Sequence, residues 1–476
     1  MMRDVLAAAV CVAAAGVVAA DLTVDFSRDG GRLKPAIHSS GWAPRSYPRS
    51  INNDDAAIRS MNLTYARTHD WALVNSGQRV VDYQNIFPLF DKDVKDPTNY
   101  CFEPTDHLLS LSRNVGLKLF YRLGTSIEHT GKDVHFNARV PKDFDKTAEI
   151  FASIVRHYNR GWAKGFEWGI KYWEIWNEPD GLDNMWWLPA SEGGTDEGVM
   201  MNHFIRLYVT VLRRLKSEFP EIKVGGPALC SFQEAYFRPL LRACKEAGVQ
   251  PDFISWHYYG YDPDALLDTV YAARRLCDEF GFTKTELIIN EYHYLLTWDG
   301  IHGRNSTPAM VKRAYDGPTG HNNIDSACFY LTMLSLFQTA PLDQAYYYGC
   351  AHQGNWGYMN QYKQFNKPYY AACLFGGVLR DYPRLCEVGH EGRYTLLAAK
   401  SEDGKGAALL LVDYRGTDQV LSVRVNGIPA PRRVSTVVLD DARDNFPCEM
   451  SYGDGVMTLL KPDKNSAAFL VKFDLD

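Results

Sequence analysis

The chain has 476 residues, with Lys+Arg 51 against Asp+Glu 57 for a formal charge of −6, and is 46% hydrophobic, 23% charged and 13% aromatic. At roughly 150 residues per domain, this length predicts two or three domains, or one large barrel with an appendage. The composition is that of a soluble globular protein, which excludes disorder, collagen, coiled coil and a polytopic membrane protein; with no Lys/Arg block to neutralise phosphates, nucleic acid is not expected as a partner.

Met1-Met2-Arg3-Asp4 is followed by Val5 to Ala20, a run of Ala, Val, Leu, Gly and Cys, and the next charge is Asp21. A charged start, an apolar stretch and a small-residue end have the form of a cleavable signal peptide. Residues 1–20 are therefore expected to be removed, leaving a secreted or periplasmic protein. An uncleaved anchor is the rival reading, but a span needs about 20 strongly apolar residues. No later stretch approaches that length, so no stable membrane insertion is expected.

Leu22-Thr-Val-Asp-Phe26 reads as a strand within residues 21–33 that joins a C-terminal β-domain. Then come short β-branched and aromatic runs at Pro35–His38, Leu63–His69, Leu117–Leu123, Tyr172–Trp176, Ile222–Pro227, Phe253–His257, Leu287–Asn290 and Gln344–Tyr348. Between most of them lie stretches with apolar residues at i, i+3, i+4 spacing: Phe144 to His157, Val199 to Phe219, Phe237 to Ala247, Ala265 to Phe280 and Asp325 to Gln338. Alternating strand and helix argues for parallel β-α units. Eight of them close a (β/α)8 TIM barrel, expected over residues 34–377. From Val378 the text changes to short alternating runs with turn signals, as in Leu396–Ala399, Ala407–Asp413, Val420–Val425, Val434–Leu439 and Ala467–Phe473. Residues 378–476 are expected to form a β-sandwich. The cysteines beyond Cys11 show no C-x-x-C pair or Cys/His spacing, which argues against a zinc module; one or two disulfides are expected, with most thiols buried.

The fourth run, Lys171-Tyr-Trp-Glu-Ile-Trp-Asn-Glu-Pro-Asp180, ends in Asn177-Glu178 and is stopped by Pro179; the seventh is followed at once by Glu291. Side chains at the C-terminal ends of barrel strands form the active site, so two carboxylates at these ends are expected to face each other across one pocket. Glycoside hydrolysis needs such a pair: one carboxyl protonates the leaving oxygen while the other attacks the anomeric carbon, and a separation of about 5 to 5.5 Å implies retention. Arg67 and His69 alternate on one strand and share a face, as do His257 and Tyr259 on another. Glu174 lies four residues before Glu178, on the same face but deeper, and reads as structural. Trp356 is a candidate sugar platform or a packing residue; Trp186 and Trp187 are weaker candidates. His69, Asp70, His257 and His293 permit a metal reading, but paired-His spacing is lacking.

Larger pieces of text carry a resemblance. Ala66-Arg-Thr-His-Asp70, Asn85-Ile-Phe-Pro88, Asp96-Pro-Thr-Asn-Tyr100, Trp176-Asn-Glu-Pro179, Val224-Gly-Gly-Pro227, Asp252-Phe-Ile-Ser-Trp-His-Tyr258, Asn290-Glu-Tyr292 and Lys367-Pro-Tyr-Tyr370 occur in an order and spacing that resemble glycoside hydrolase family 39, over most of residues 35–375. The resemblance implies a retaining, exo-acting glycosidase that needs no cofactor and takes an oligosaccharide or glycoside as its partner. It makes Glu178 the general acid/base and Glu291 the nucleophile. It also implies that Asn177 binds the sugar 2-hydroxyl, that Arg67 donates to Glu291 with His69 nearer the sugar, and that Tyr259 hydrogen-bonds the nucleophile. This chain departs from the family at His38-Ser-Ser-Gly-Trp42, at Asp180 where Asn is more familiar, and at Tyr292 to Trp298. β-Xyloside, α-L-iduronide, arabinoside and galactoside therefore stay open as substrates. The rivals are a non-catalytic carbohydrate-binding barrel and a metal-dependent barrel hydrolase.

Overall fold

The computed structural model describes residues 20–41, 54–69, 80–126, 140–181, 186, 188, 191, 193–194, 196–301, 306–317, 319–349, 356–359, 364–461 and 464–475. Residues 1–19 of the apolar leader, Trp42, Asp70, Trp187 and Cys350 lie outside these.

Strands β2 (Ser39–Ser40), β3 (Tyr65–Arg67), β4 (Lys118–Leu123), β5 (Tyr172–Ile175), β6 (Lys223–Leu229), β7 (Phe253–Gly260), β8 (Glu286–Tyr294) and β9 (Gln344–Tyr347) pair in parallel and close into a barrel in that order. The helices α1 (Asp55–Met61), α2 (Tyr83–Ile86), α3 (Glu103–Asn114), α4 (Phe144–Arg160), α5 (Glu197–Glu218), α6 (Glu234–Glu246), α7 (Pro263–Glu279), α8 (Pro308–Asp316), α9 (Ile324–Leu336) and α10 (Lys367–Asp381) fall between and after these strands. Their starts are set locally. Asp143, Asp196 and Asp262 accept hydrogen bonds from the first-turn N–H groups of α4, α5 and α7, and Pro263 follows Asp262 where its missing N–H is harmless.

The first strand differs from the run Pro35–His38. Those residues form a 3-10 turn at Pro35–Ile37, closed by His38 N–H on the Pro35 carbonyl, and only Ser39–Ser40 pair with the barrel. Proline fixes the backbone angle and offers no ladder donor, so the chain turns there before it extends. At the barrel's lower end Phe120, Tyr172, Phe253, Ile288 and Tyr346 form an inner plug. Alternate residues further along these strands therefore also face the barrel interior. Gly225 makes room for the plug, because a Cβ there would sit 2.1 Å from the Phe253 carbonyl.

Beyond the barrel are a four-stranded sheet, β1 (Ala20–Asp25)-β13 (Val420–Asn426)-β17 (Val456–Leu460)-β16 (Met450–Gly453), and a six-stranded sheet, β10 (Arg384–Glu391)-β11 (Tyr394–Lys400)-β12 (Gly406–Asp413)-β18 (Ala467–Asp474)-β14 (Arg433–Leu439)-β15 (Asp444–Pro447). β1 lies parallel to β13, beside which run β17 and β16. The larger sheet is antiparallel. Leu409 and Leu411 of β12 enter the core between the two sheets, while Ala408, Leu410 and Val412 enter the barrel's outer core. Burial on both faces explains the unbroken apolar text of this strand. α9 is caught between barrel and sandwich and is buried on every side. It is thus not the amphipathic helix that the spacing of Asp325 to Gln338 predicts, because a second domain covers the face that would otherwise meet water.

The eight cysteines among the described residues are all unpaired, scattered over helices of the barrel, one strand of the sandwich and connecting segments. The disulfides expected from sequence are not found there.

Candidate active site

Each residue of the site is placed by a feature of its strand end. On β5, Tyr172 joins the plug, Glu174 points inward above it, and Ile175 faces the helices. The alternation then breaks. Trp176 takes φ 76° and packs outward against Trp186, and Glu178 takes φ 45° with its N–H donated to the Ala228 carbonyl at 2.8 Å. Left-handed backbone at non-glycine residues is costly and persists only where the surroundings enforce it. Its effect is to turn both Asn177 and Glu178 toward the barrel mouth.

On β8 the sequence places Glu291 just beyond a strand ending at Asn290, whereas the strand runs on to Tyr294. Leu287 and Ile289 face the helices and Ile288 the plug, so strict alternation would send Glu291 outward with Ile289. The pairing with β7 skips a residue: Trp256 lies opposite Ile289 and His257 opposite Glu291. The extra residue, Asn290, is a β-bulge. It lets Asn290 and Glu291 both face inward, the former donating to Glu174 at 2.8 Å.

A buried polar network holds the pair. Arg67 donates from Nε to Glu174 Oε2 at 2.7 Å, from Nη1 to Glu291 Oε1 at 2.7 Å and from Nη2 to Asn177 Oδ1 at 2.8 Å. Tyr259 Oη donates to Glu291 Oε2 at 2.6 Å. His257 Nδ1 lies 2.7 Å from Glu178 Oε1 and 3.5 Å from Glu291 Oε2. One carboxylate oxygen each of Glu178 and Glu291 and a ring nitrogen of His257 lie within 4.8 Å of one another. His69 Nε2 stands 3.7 Å from Glu291 Oε1, at the pocket but beyond hydrogen-bond reach. Thus six of the residues singled out from sequence, Arg67, Asn177, Glu178, His257, Tyr259 and Glu291, converge on one point.

Burial raises the Glu291 carboxyl above its usual range, opposed by the charges of His257 and Arg67 and reinforced by that of Glu178. Asp180 was noted from sequence only as a departure. Its carboxylate accepts from Cys230 N–H at 3.0 Å and Gln233 Nε2 at 2.7 Å, and burial, with the nearby Glu178 charge, pushes it up to about 7. The Cys230 thiol, raised by burial, sits against both carboxylates. Neither side chain carries a motif that sequence reasoning could use.

Trp356 is half-buried, its ring 5.5 Å from Tyr259, 5.7 Å from Tyr348 and 6.4 Å from Trp298. Trp298, the last residue of the segment where the chain departs from the family, is 45% exposed beside it. Trp186 is buried against Trp176 and Phe204 and belongs to the core.

Asp70 of the metal set read from sequence lies outside the described residues, and the other three are not found together as a ligand cluster among those described. His293 Nδ1 is engaged with the Tyr294 carbonyl at 2.7 Å and its ring stacks on Tyr347. The set that does assemble, Glu178, His257 and Glu291, offers suitable ligand atoms. Both Glu291 oxygens already accept strong donors, and a guanidinium 2.7 Å away repels any cation there. These residues fit a carboxylate pair better than a metal centre. No helix among the described residues is long and apolar enough to cross a membrane.

Residues 24–290 match the family model of glycosyl hydrolases family 39. A β-xylosidase of Geobacillus stearothermophilus is 25% identical over 234 residues, 45% of this chain and 43% of that protein, so the match spans less than half of that relative's length. Among solved structures, a glucosidase from Croceicoccus marinus superposes with TM-score 0.74 at 19% identity, covering 96% of this chain and 100% of that one. The GH39 enzyme from Xanthomonas axonopodis pv. citri superposes with TM-score 0.66 at 17% identity, covering 96% and 98%. At these identities the likeness is one of fold.

Proposed function

The chain belongs to glycosyl hydrolases family 39, and from that membership we propose that it is a retaining, exo-acting glycosidase of β-xylosidase type. The observation that carries the proposal is the approach of the Glu178 and Glu291 carboxylates, each with an oxygen within 4.8 Å of the other. Inverting enzymes need about 6.5 to 9.5 Å to admit a water between the carboxyls, whereas retaining enzymes hold them about 5 to 5.5 Å apart. The β-xyloside preference rests on the curated relative's name, with α-L-iduronides, arabinosides and galactosides as the competing classes.

In this reading Glu291 attacks the anomeric carbon as Glu178 gives its proton to the departing oxygen, forming a glycosyl ester. Glu178 then takes a proton from water, which attacks the same carbon and returns Glu291 to its carboxylate. Arg67 and Tyr259 fix one Glu291 oxygen each, leaving the carboxylate little freedom to rotate. Arg67 also occupies the Asn177 oxygen, which leaves the Asn177 NH2 as the donor for a sugar 2-hydroxyl. His257 orients Glu178. Loss of the Glu291 charge in the ester favours ionised Glu178, as its second role requires.

A 2-deoxy-2-fluoro-β-xyloside with an activated leaving group tests the scheme. Peptide mapping should find the fluorosugar on Glu291, and the first product of an ordinary β-xyloside should be the β-anomer. A label elsewhere, or an α-product, overturns it. We extend the proposal to export: N-terminal sequencing of protein from the natural host should give a chain starting near Asp21, outside the cytoplasm. An intact Met1 on cytoplasmic protein contradicts this.

A further inference from the structure

Tyr259, which donates to Glu291, is the last residue but one of β7. Gly260 follows it, and a Cβ there would lie 2.7 Å from the Tyr258 hydroxyl, so the strand must end on a glycine, the residue with the most backbone freedom to lose. Only Tyr261 and Asp262 then connect β7 to the start of α7 at Pro263. Tyr261 is 44% exposed, and among the described residues the hydrogen bond and the cation that reach it both come from the sandwich. Their sources are the two residues that follow β12. Tyr414 Oη donates to the Tyr261 carbonyl at 2.7 Å, and the Arg415 guanidinium lies 5.4 Å from the centre of the Tyr261 ring. Both are themselves pinned. Tyr414 is buried, with its N–H on the Arg393 carbonyl and its ring 6.1 Å from that of Phe329 on α9. Arg415 takes φ 58° and donates its N–H to Ser466 Oγ at 2.7 Å, and that hydroxyl donates in turn to Asp325 of α9 at 2.5 Å.

We propose that Tyr414 and Arg415 are positioning residues for the nucleophile: the sandwich grips Tyr261 and so keeps the Tyr259 hydroxyl on Glu291. The proposal rests on the reading of Glu291 as nucleophile and gives the C-terminal domain a part in the reaction. The lever is short. Gly260, whose carbonyl accepts from Leu295 N–H at 2.9 Å, is the one residue between Tyr259 and Tyr261. The Tyr259 hydroxyl stands at the far end of a rigid ring, so a small tilt of the strand end moves it further than the backbone moves. A misplacement of about 1 Å in a catalytic group can cost about a hundredfold in rate. Without the buried phenol of Tyr414, the Tyr261 carbonyl is free to turn toward water and to take the end of β7 with it.

The test is a double-mutant cycle of Tyr414→Phe and Tyr259→Phe on hydrolysis of an aryl β-xyloside, or of the aryl glycoside that a panel selects. Tyr414→Phe keeps the ring against Phe329 and removes only the hydroxyl. Its kcat should fall about fivefold with KM within twofold of wild type, and the acidic limb of the pH profile should move to higher pH, as on direct loss of the Tyr259 hydroxyl. The substitution leaves in place Arg67, His69, Glu178 and His257, the other charged or titratable groups facing Glu291 among the described residues. In the Tyr259→Phe background the same change should alter kcat by less than twofold, since no hydroxyl is left to position. A wild-type kcat, an unmoved limb or an equal effect in both backgrounds overturns the proposal, because domain packing alone would act without regard to Tyr259. If Tyr414→Phe does not fold, Arg415→Gln, at an exposed position, takes its place in the cycle and is judged by the same outcomes. The nucleophile reading fails separately, if Glu291→Ala keeps the wild-type rate.

Discussion

Arg67 and Glu174 form an ion pair with both side chains fully buried, Nη2 and Oε2 lying 2.6 Å apart. Glu174 also accepts from Ser255 Oγ at 2.7 Å and Asn290 Nδ2 at 2.8 Å, so one carboxylate at the barrel's centre ties together four strands. The pair fixes where the guanidinium points. Its remaining N–H groups then reach Glu291 and Asn177, the residues proposed to attack and to bind the sugar.

Glu174→Gln should therefore reduce both stability and turnover. Removing one charge of a buried pair commonly destabilises by about 3 to 5 kcal/mol, because the other charge is left without compensation. The isosteric amide keeps the shape, so we expect a folded protein with a lower urea midpoint, and a kcat that falls more than KM rises. Wild-type stability and wild-type kcat together would show that the pair does not position Arg67.

Tyr259→Phe keeps the ring against Trp356 and removes the 2.6 Å hydrogen bond to Glu291. A hydrogen bond to a charged group contributes about 1.5 to 3 kcal/mol. The corresponding loss in kcat/KM is roughly ten- to a hundredfold. That hydrogen bond lowers the Glu291 pKa, so its removal should move the acidic limb of the pH profile to higher pH. An unmoved limb would separate Tyr259 from Glu291 ionisation.

Asp180→Asn should alter the pH dependence of stability. The folded-state carboxyl is raised to about 7 from 3.8, chiefly by burial. Between those values the folded state holds a proton that the unfolded state has released. This contribution is therefore greatest below the unfolded pKa and is lost as pH rises through about 7, amounting to a few kcal/mol. The amide has no charge to bury, so Tm of the variant relative to wild type should increase between pH 5 and pH 8. A constant Tm difference across that range would refute the assignment. Because Asp180 lies near Glu178, the basic limb of the activity profile should also shift to lower pH.

The barrel was legible because most of its strands, though not Ser39–Ser40, carry apolar text on a strong period. Phe120, Tyr172 and Phe253 fill its plug while Leu119, Trp173 and Ile254 face the helices. Arg67 with His69 and His257 with Tyr259 were legible for the same reason, since alternation puts each pair on one face. Cys230 was not legible, because its relation to the site depends on a loop that no periodicity governs. Neither was the full burial of α9, which exists only because the sandwich packs onto the barrel.

By itself the sequence determined the strand and helix repeat, the change to sandwich text, which begins in the structure only after α10 ends at Asp381, and the two glutamates at the ends of the fourth and seventh runs. These follow from local periodicity and residue type, which any short window contains. Only the tertiary structure decided that the glutamates meet. Alternation alone points Glu291 at the helices, and the bulge at Asn290 turns it inward. The positive φ at Trp176 and Glu178 swings the other carboxylate over the barrel mouth, held there by the Ala228 carbonyl. Both are departures from regular geometry, maintained by neighbouring strands far away in the chain, and so no local pattern could record them.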